Sequence, residues 1–599
     1  MNSFTRSLVT AFYCASAVAQ IAVTDLLPPS IPWNGASRSL AVEPNGPWAT
    51  PCEQSKLTRT PRYAETVAWL ERLAKAAPEL RLVSLGKSPE GRDIWMVIAS
   101  KERAFTPEAM RATGKPIFLA QAGIHSGEID GKDAGMMLLR DMTVRGTKKA
   151  LLDGANFLFV PIFNVDGHER FSAFSRINQR GPEESGWRTT SMNLNLNRDY
   201  AKLDSPEMRA MVRAIDAWGP DLYADLHVTD GIDYQYDVTW GNNGTNGYSP
   251  RSAQWLDRTL TPALERDLRA AGHIPGRLVF AVDSRDVGKG IAGWTSSARF
   301  SHGYGDLRHV PAILVENHSL KPYDQRVLGM EVWMETVLRT LGSDGATLRQ
   351  AIAADRALRP VRVPLAWKSD EGIPPRIDFL AIESLLVESE VAGGAVPQWT
   401  GKPITVNVPY PQANTPALTV TRPKAYWVPP QSREIIERLA IHGVRMERFA
   451  EPREVDVEIY RIVDPKLAPV PSEGHVPVTA TFKSERSRRV FAPGAVRVPT
   501  DQPLGDLVVL LLEPQSPESF FRWGFFLGCL EETEYAEAYV VEPLARRMLA
   551  ENASLRVEFD KALAADPALS KDPSARLLWF YRRSPFADAA WNVYPIARE

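Results

Sequence analysis

The residues of this chain best suited to chemistry are His125 and Glu128, in the stretch HSGE, together with His227, Glu316 and the pair Asn197-Arg198. A His and a Glu three positions apart can converge on one small volume. A neutral imidazole and a carboxylate are good donors to Zn²⁺, and a catalytic zinc takes one more protein ligand and a water. His227 is the candidate for that ligand. His227-x-x-Asp230 has metal-like spacing of its own, which makes Asp230 a rival, ranked lower because it duplicates the role of Glu128. Glu316 ends the run VPAILVE. A Glu there carries an uncompensated desolvation cost unless it has a task or a partner. Beside zinc-bound water, such a carboxylate of raised pKa accepts the water's proton and passes it to a leaving amine; the alternative is a Glu paired with an Arg at the strand edge. Asn197-Arg198 sets an amide beside a guanidinium, and Arg grips a carboxylate through two parallel hydrogen bonds, which suits the terminal carboxylate of a peptide.

Strand ends must bring these groups together. Pro116–Gln121 is an apolar run of strand length, ended by Gly123, so His125 stands at its C-terminal edge and Glu128 opens a helix over Asp130–Met142. Asp221–Val228, DLYADLHV, delivers His227 at a second such edge, and Val310–Glu316 delivers Glu316 at a third. Ligands of open α/β sheets bind outside the carboxyl ends of the strands. Around these lie a helix at Arg62–Ala77, a hairpin of Leu80–Leu85 and Asp93–Ser100 about Ser88-Pro-Glu-Gly91, and a strand at Ala155–Asn164. Ser205 and Pro206 start a helix that runs to Trp218, where Gly219-Pro220 stops it. The alternation predicts an α/β fold with a mixed central sheet flanked by helices. Gly241–Pro250, rich in Gly and Asn, reads as a loop at a pocket rim.

In this order, HSGE, Asn164-Val-Asp-Gly167, NLNR, DLH and LVENHS resemble the zinc carboxypeptidases of the carboxypeptidase A family, over roughly Tyr63 to Thr340. The resemblance implies one zinc per chain on His125, Glu128 and His227, with Glu316 as general base and acid. It implies Asn197 and Arg198 as the grip on a substrate's C-terminal carboxylate. Asn195 stands where many members carry an Asp that orients a zinc-bound His, and its amide oxygen can accept the same imidazole N–H. The oxyanion-stabilising arginine falls between NVDG and NLNR, where Arg180 has the better spacing and Arg176 is the alternative. The chain departs from the family at the tyrosine that closes over substrate: that window holds Trp294, and Tyr304, nearer Glu316, substitutes only if the loop differs. His302, His309 and His318 are expected to line the loop or satisfy hydrogen bonds rather than to hold a second zinc. The implied reaction is hydrolysis of a peptide bond that releases a C-terminal residue. The rivals are a zinc amidohydrolase acting on wall peptides or acyl-amino acids, and an inactive exported zinc- or glycan-binding protein.

The 599 residues, 44% hydrophobic and 24% charged with net charge −2, are of ordinary globular composition. Nothing in that balance recommends nucleic acid as a partner. Residues 1–19 read as a signal peptide, with Arg6, an apolar Leu8–Ala15 too short to span a bilayer, and Ala17-Val-Ala19 as cleavage site. This predicts an exported protein, periplasmic or secreted, of bacterial type and without stable membrane insertion. Cys52 and Cys529 remain after cleavage, either as one long-range disulfide or as two thiols. Residues 20–60 read as an N-terminal arm, 61–350 as the catalytic domain, 351–470 as a β-rich accessory region and 471–599 as a C-terminal α+β region. In the accessory region Ile404–Val408, Ala417–Arg422 and Val455–Val463 are strand-like and Arg433–Ala440 is helical. Leu504–Glu513 reads as a buried strand, and Phe520–Phe526 either packs in a core or forms an exposed aromatic patch.

Overall fold

A computed structural model describes residues 23–599; the expected signal peptide lies outside them. The described chain falls into two compact units, one running up to Leu358 and including Trp367–Ala417, the other made of Arg359–Ala366 and Leu418–Glu599.

Up to Leu358 the first unit has nine strands among its described residues: β1 (Leu80–Lys87), β2 (Asp93–Ala99), β3 (Ile117–Ala122), β4 (Asn156–Val160), β5 (Leu222–Val228), β6 (Val238–Gly241), β7 (Pro275–Arg277), β8 (Gly293–Trp294) and β9 (Ala312–Asn317). Eight of them form one mixed sheet in the order β1-β2-β4-β3-β5-β9-β6-β7. Its centre, β4-β3-β5-β9, is parallel, while β1-β2, β2-β4 and β9-β6 are antiparallel. Every residue of β3, β4 and β5 is buried, as parallel strands covered on both faces require. The covering helices are Tyr63–Ala76, Asp130–Met142, Pro206–Trp218 and Tyr323–Arg356. Helix Pro206–Trp218 starts where the Ser205 side chain accepts from Met208 N and ends at Gly219 with φ +56°. Helix Asp130–Met142 is buried along its whole length. It lies flat on the sheet because Gly131 and Gly135 present no side chain: a Cβ at Gly131 would meet Leu226 Cδ1 at 2.7 Å, and one at Gly135 would overlap the Phe159 ring. These helices bury Leu70, Met137, Trp333 and Leu338 against Phe118, Phe157 and Leu226 of the sheet in one hydrophobic core.

The same unit carries a long antiparallel hairpin, Arg376–Ser389 against Gly394–Pro409. Sequence reading finds only Ile404–Val408 of it. The partner strand passes unnoticed because its outer part, ESLLVES, is apolar on both faces and lacks a period of two. The inner half packs Phe379, Ala381 and Val408 against Ile232, Tyr234 and Ile291.

The second unit has a six-stranded sheet ordered Glu447–Arg448, Val496–Pro499, Ala425–Val428, Ala597–Arg598, Arg453–Leu467, Val478–Phe491. Helices between Ala538 and Tyr581 gather Ala545, Leu555, Phe559, Trp579 and Phe580 into a core of their own. One expectation is overturned: the stretch read as a strand at Leu504–Glu513 is a helix, Gly505–Leu512, with all eight residues buried. A short run that is apolar on every side has no period to separate a buried helix from a buried strand. Phe520, Phe521 and Trp523 are buried, so that aromatic run is core packing. Cys52 and Cys529 are both free thiols.

Candidate active site

Three strand ends supply the site. After β3 the chain turns at Gly123, whose φ of +67° suits a residue without Cβ, and the backbone N–H of Glu128 donates to the His125 carbonyl at 2.9 Å. His125 Nδ1 then lies 3.1 Å from Glu128 Oε1. From β5, His227 Nδ1 lies 2.9 Å from Glu128 Oε2, which also accepts from Val228 N at 3.1 Å. The register between β5 and β9 sets Glu316 directly opposite His227.

Both imidazoles are oriented from behind. His125 Nε2 is 2.9 Å from Asn195 Oδ1, and His227 Nε2 is 2.8 Å from Asp225 Oδ2. Oxygen acceptors at Nε2 place the proton there and leave both Nδ1 lone pairs aimed at Glu128. One ligand atom from each of His125, Glu128 and His227 lies within 4.8 Å of the others, and among the described residues this is the one such cluster. Its donor set fits zinc: two nitrogens and a carboxylate, buried, with His125 Nδ1 making no hydrogen bond. Burial pushes the Glu128 carboxyl up, but His125 and Arg176 outweigh it and hold it well below the usual range. Burial pulls the His227 imidazole down, but Asp225 and Glu128 outweigh it and lift it well above its ordinary value. The field at that Nδ1 favours a cation.

Glu316 is pushed up to about 8 by burial, which Glu128 and Asp230 reinforce and His227 and Arg176 oppose. Its Oε2 is buried and unpartnered. Such a carboxyl is poised to take and return a proton near neutral pH.

A cavity of about 470 Å³ opens over these groups. Its polar lining includes Arg188, Asn197, Arg198 and Asp230, and its apolar lining Phe280, Trp294, Phe300 and Leu314. The Arg198 guanidinium lies over the Phe300 ring at 4.4 Å. The Asn197 amide is 3.3 Å from His227 Nε2 and accepts from Ser301 N. Trp294 meets Phe300 and Phe280 edge-on, at 4.9 and 5.4 Å. Its strand β8 is paired in parallel with Gln412-Ala413, just beyond the long hairpin.

The arginines between NVDG and NLNR separate sharply. Arg180 turns away, donating to the carbonyls of Leu320 and Pro28. Arg176 donates to Glu128 Oε1 at 2.9 Å and pairs with the half-exposed Asp230. Arg188, which spacing did not single out, reaches the same Glu128 oxygen at 3.0 Å and borders the cavity. Asp225 was also missed. Its signal is its place two residues before His227 on one strand, which puts both side chains on one face. Tyr304 is buried outside the cavity wall, its hydroxyl accepting from Arg308 at 3.1 Å. His309 meets Ser249 Oγ and His318 meets Asp233, while His302 is buried edge-on to Trp294.

A family model described as zinc carboxypeptidase matches residues 66–278. Carboxypeptidase 2 of Trichophyton rubrum is 23% identical over 485 residues, 78% of this chain and 84% of that protein. Carboxypeptidase D of Drosophila melanogaster is 26% identical over 247 residues, 36% of this chain and 17% of that protein. Among solved structures, a metallo-carboxypeptidase from Burkholderia cenocepacia covers 47% of this chain and 69% of its own, at 17% identity and a TM-score of 0.34. The two histidines and the carboxylate gathered at one sheet edge all lie inside the stretch that matches the zinc carboxypeptidase family, and the chain is a zinc metallocarboxypeptidase.

Proposed function

We propose that this chain releases the C-terminal residue of a peptide, with zinc on His125, Glu128 and His227 and Glu316 as general base. The observation that carries the reading is the pairing of that three-residue cluster with a buried carboxyl whose Oε2 has no partner, set across the β5–β9 register. Zinc held there would supply Lewis acidity toward the scissile carbonyl and acidify a water. Glu316 takes the proton of the attacking water and returns it to the leaving nitrogen. Arg188, at the cavity wall, is better placed than Arg180 to face the oxyanion, a contribution typically worth about 2.7–4 kcal/mol. Arg198 and Asn197 bind the terminal carboxylate. The aromatic lining residues Phe280, Trp294 and Phe300 receive an apolar terminal side chain. The signal-like residues 1–19 support export to the periplasm or medium.

One observation favours a second reading, amide hydrolysis without regard to a chain end. The wall carries Trp294, which has no hydroxyl, and Tyr304 is turned away from the cavity. Peptides with free and amidated C-termini separate the two. We expect the amidated peptide to be the poorer substrate, and Arg198→Ala to lower kcat/KM for the free peptide by at least about tenfold without loss of zinc. Equal cleavage of both peptides by native enzyme and variant would replace exopeptidase action with the second reading.

A further inference from the structure

We propose that two copies of this chain pair through the outer half of the first hairpin strand, Glu383–Ser389, in antiparallel self-association. Leu385, Leu386 and Val387 are 53, 59 and 42% exposed there. A two-stranded ribbon is marginal in water by itself, and an apolar edge is a template for another strand.

The two edges of the hairpin are unlike. Ile382 faces Pro403 and Leu386 faces Pro397. Proline has no N–H, so these are non-hydrogen-bonded pairs whose backbone groups point outward. The second strand therefore lacks donors at positions 397 and 403 of its outer edge, and Arg285 covers the Ala395 carbonyl at 2.7 Å. The first strand contains no proline. Its inner edge is already used, since Gln235 N donates to the Leu380 carbonyl at 2.9 Å and Tyr234 bridges Ala381. Along the outer edge, no described residue hydrogen-bonds the outward backbone groups of Ser384, Leu386 or Glu388. The strand thus continues an existing edge pairing beyond its last partner among the described residues.

The sequence of that edge fits a second copy of itself. With a two-fold axis at Leu386, Leu386 faces Leu386, Leu385 faces Val387, Ser384 faces Glu388 and Glu383 faces Ser389. No carboxylate opposes a carboxylate, and the apolar residues meet at the centre. Parity agrees as well: Ser384, Leu386 and Glu388 all point outward, so the three facing pairs each exchange both backbone hydrogen bonds. The product is a four-stranded sheet whose new outer edges are the proline-bearing strands, which halts growth at two copies.

Sedimentation velocity of the full chain over roughly 1–100 μM tests this. We expect a concentration-dependent species of twice 66.6 kDa. Leu386→Lys sets two like charges on the axis and should return the monomer with hydrolytic activity unchanged. Leu386→Cys should give a covalent dimer under mild oxidation that the native chain, with its own three cysteines, does not give. A 66.6 kDa species at every concentration, or a dimer that survives Leu386→Lys, overturns the pairing. So does a monomer that binds zwitterionic phosphatidylcholine vesicles unless Leu386 is Lys, which would assign the apolar tip to a lipid surface.

Discussion

Glu316 and Asp225 do different work within a few ångströms of the same imidazole, and each can be removed by one atom's change. Glu316→Gln keeps the shape and loses the proton acceptor. The zinc donors are untouched, so metal content should hold while turnover falls by at least about a hundredfold. Zinc analysis beside peptide hydrolysis separates the two readouts, and near-normal turnover would move the base elsewhere. Asp225→Asn acts through His227. The carboxylate that accepts from Nε2 also accepts from Gln121 at 2.9 Å, and an amide there can present its N–H to the ring and reverse the tautomer. Zinc affinity, read by chelator competition, should fall about 10- to 100-fold. Unchanged affinity would mean that Asp225 does not set the orientation of His227.

Each donor stands at a place that an element fixes. Helix Asp130–Met142 holds its position because the Phe159 ring occupies the space a Cβ at Gly135 would need. Gly135→Ala should destabilise the protein by roughly 1–3 kcal/mol, seen as a lower midpoint in urea. Helix Pro206–Trp218 carries a different stress. An acidic residue in a first turn is ordinarily favourable, but Glu207 is buried, with Asp166 and Asp199 adding repulsion, and its carboxyl is pushed up to about 7. Because the folded value lies above the unfolded one, its contribution is fully present below about pH 4.5 and is lost as pH rises through 7. Glu207→Gln escapes that loss. Relative to the native chain it should gain up to about 3 kcal/mol between pH 5 and 8, measured by denaturant titration at each pH. A difference independent of pH would show that Glu207 ionises freely in the fold.

At the scale of the whole molecule, two compact units with separate cores predict two calorimetric transitions rather than one. All three proposed zinc ligands belong to the first unit. Zinc at a thousand times its dissociation constant adds about 4.1 kcal/mol to the state that binds it. A chelator should therefore lower one transition by several degrees and leave the other in place. A single transition, or equal shifts in both, would show that the units unfold together.

The sequence by itself determined the three strand ends that carry HSGE, DLH and LVE. Each lies next to its own apolar run, and a strand's period puts the last side chain on a defined face. For the same reason it determined the α/β class and the helix opened by Ser205-Pro206. Spacing preferred Arg180 over Arg176 and passed over Arg188, whereas in the structure Arg180 turns away and Arg188 borders the cavity. All three lie in a stretch of bends and turns without helix or regular strand, where no periodicity relates spacing to direction, so only contacts with Glu128 and Leu320 decide which guanidinium faces the cavity. Nor did the sequence set His227 opposite Glu316, since a register between strands distant in sequence is a tertiary fact. Gly505–Leu512 became a helix and Arg376–Ser389 a strand for a related reason. Runs with apolar residues on every side carry no face preference: burial on all sides selects the helix at Gly505–Leu512, and the ladder to Gly394–Pro409 selects the strand at Arg376–Ser389, each satisfying the backbone hydrogen bonds.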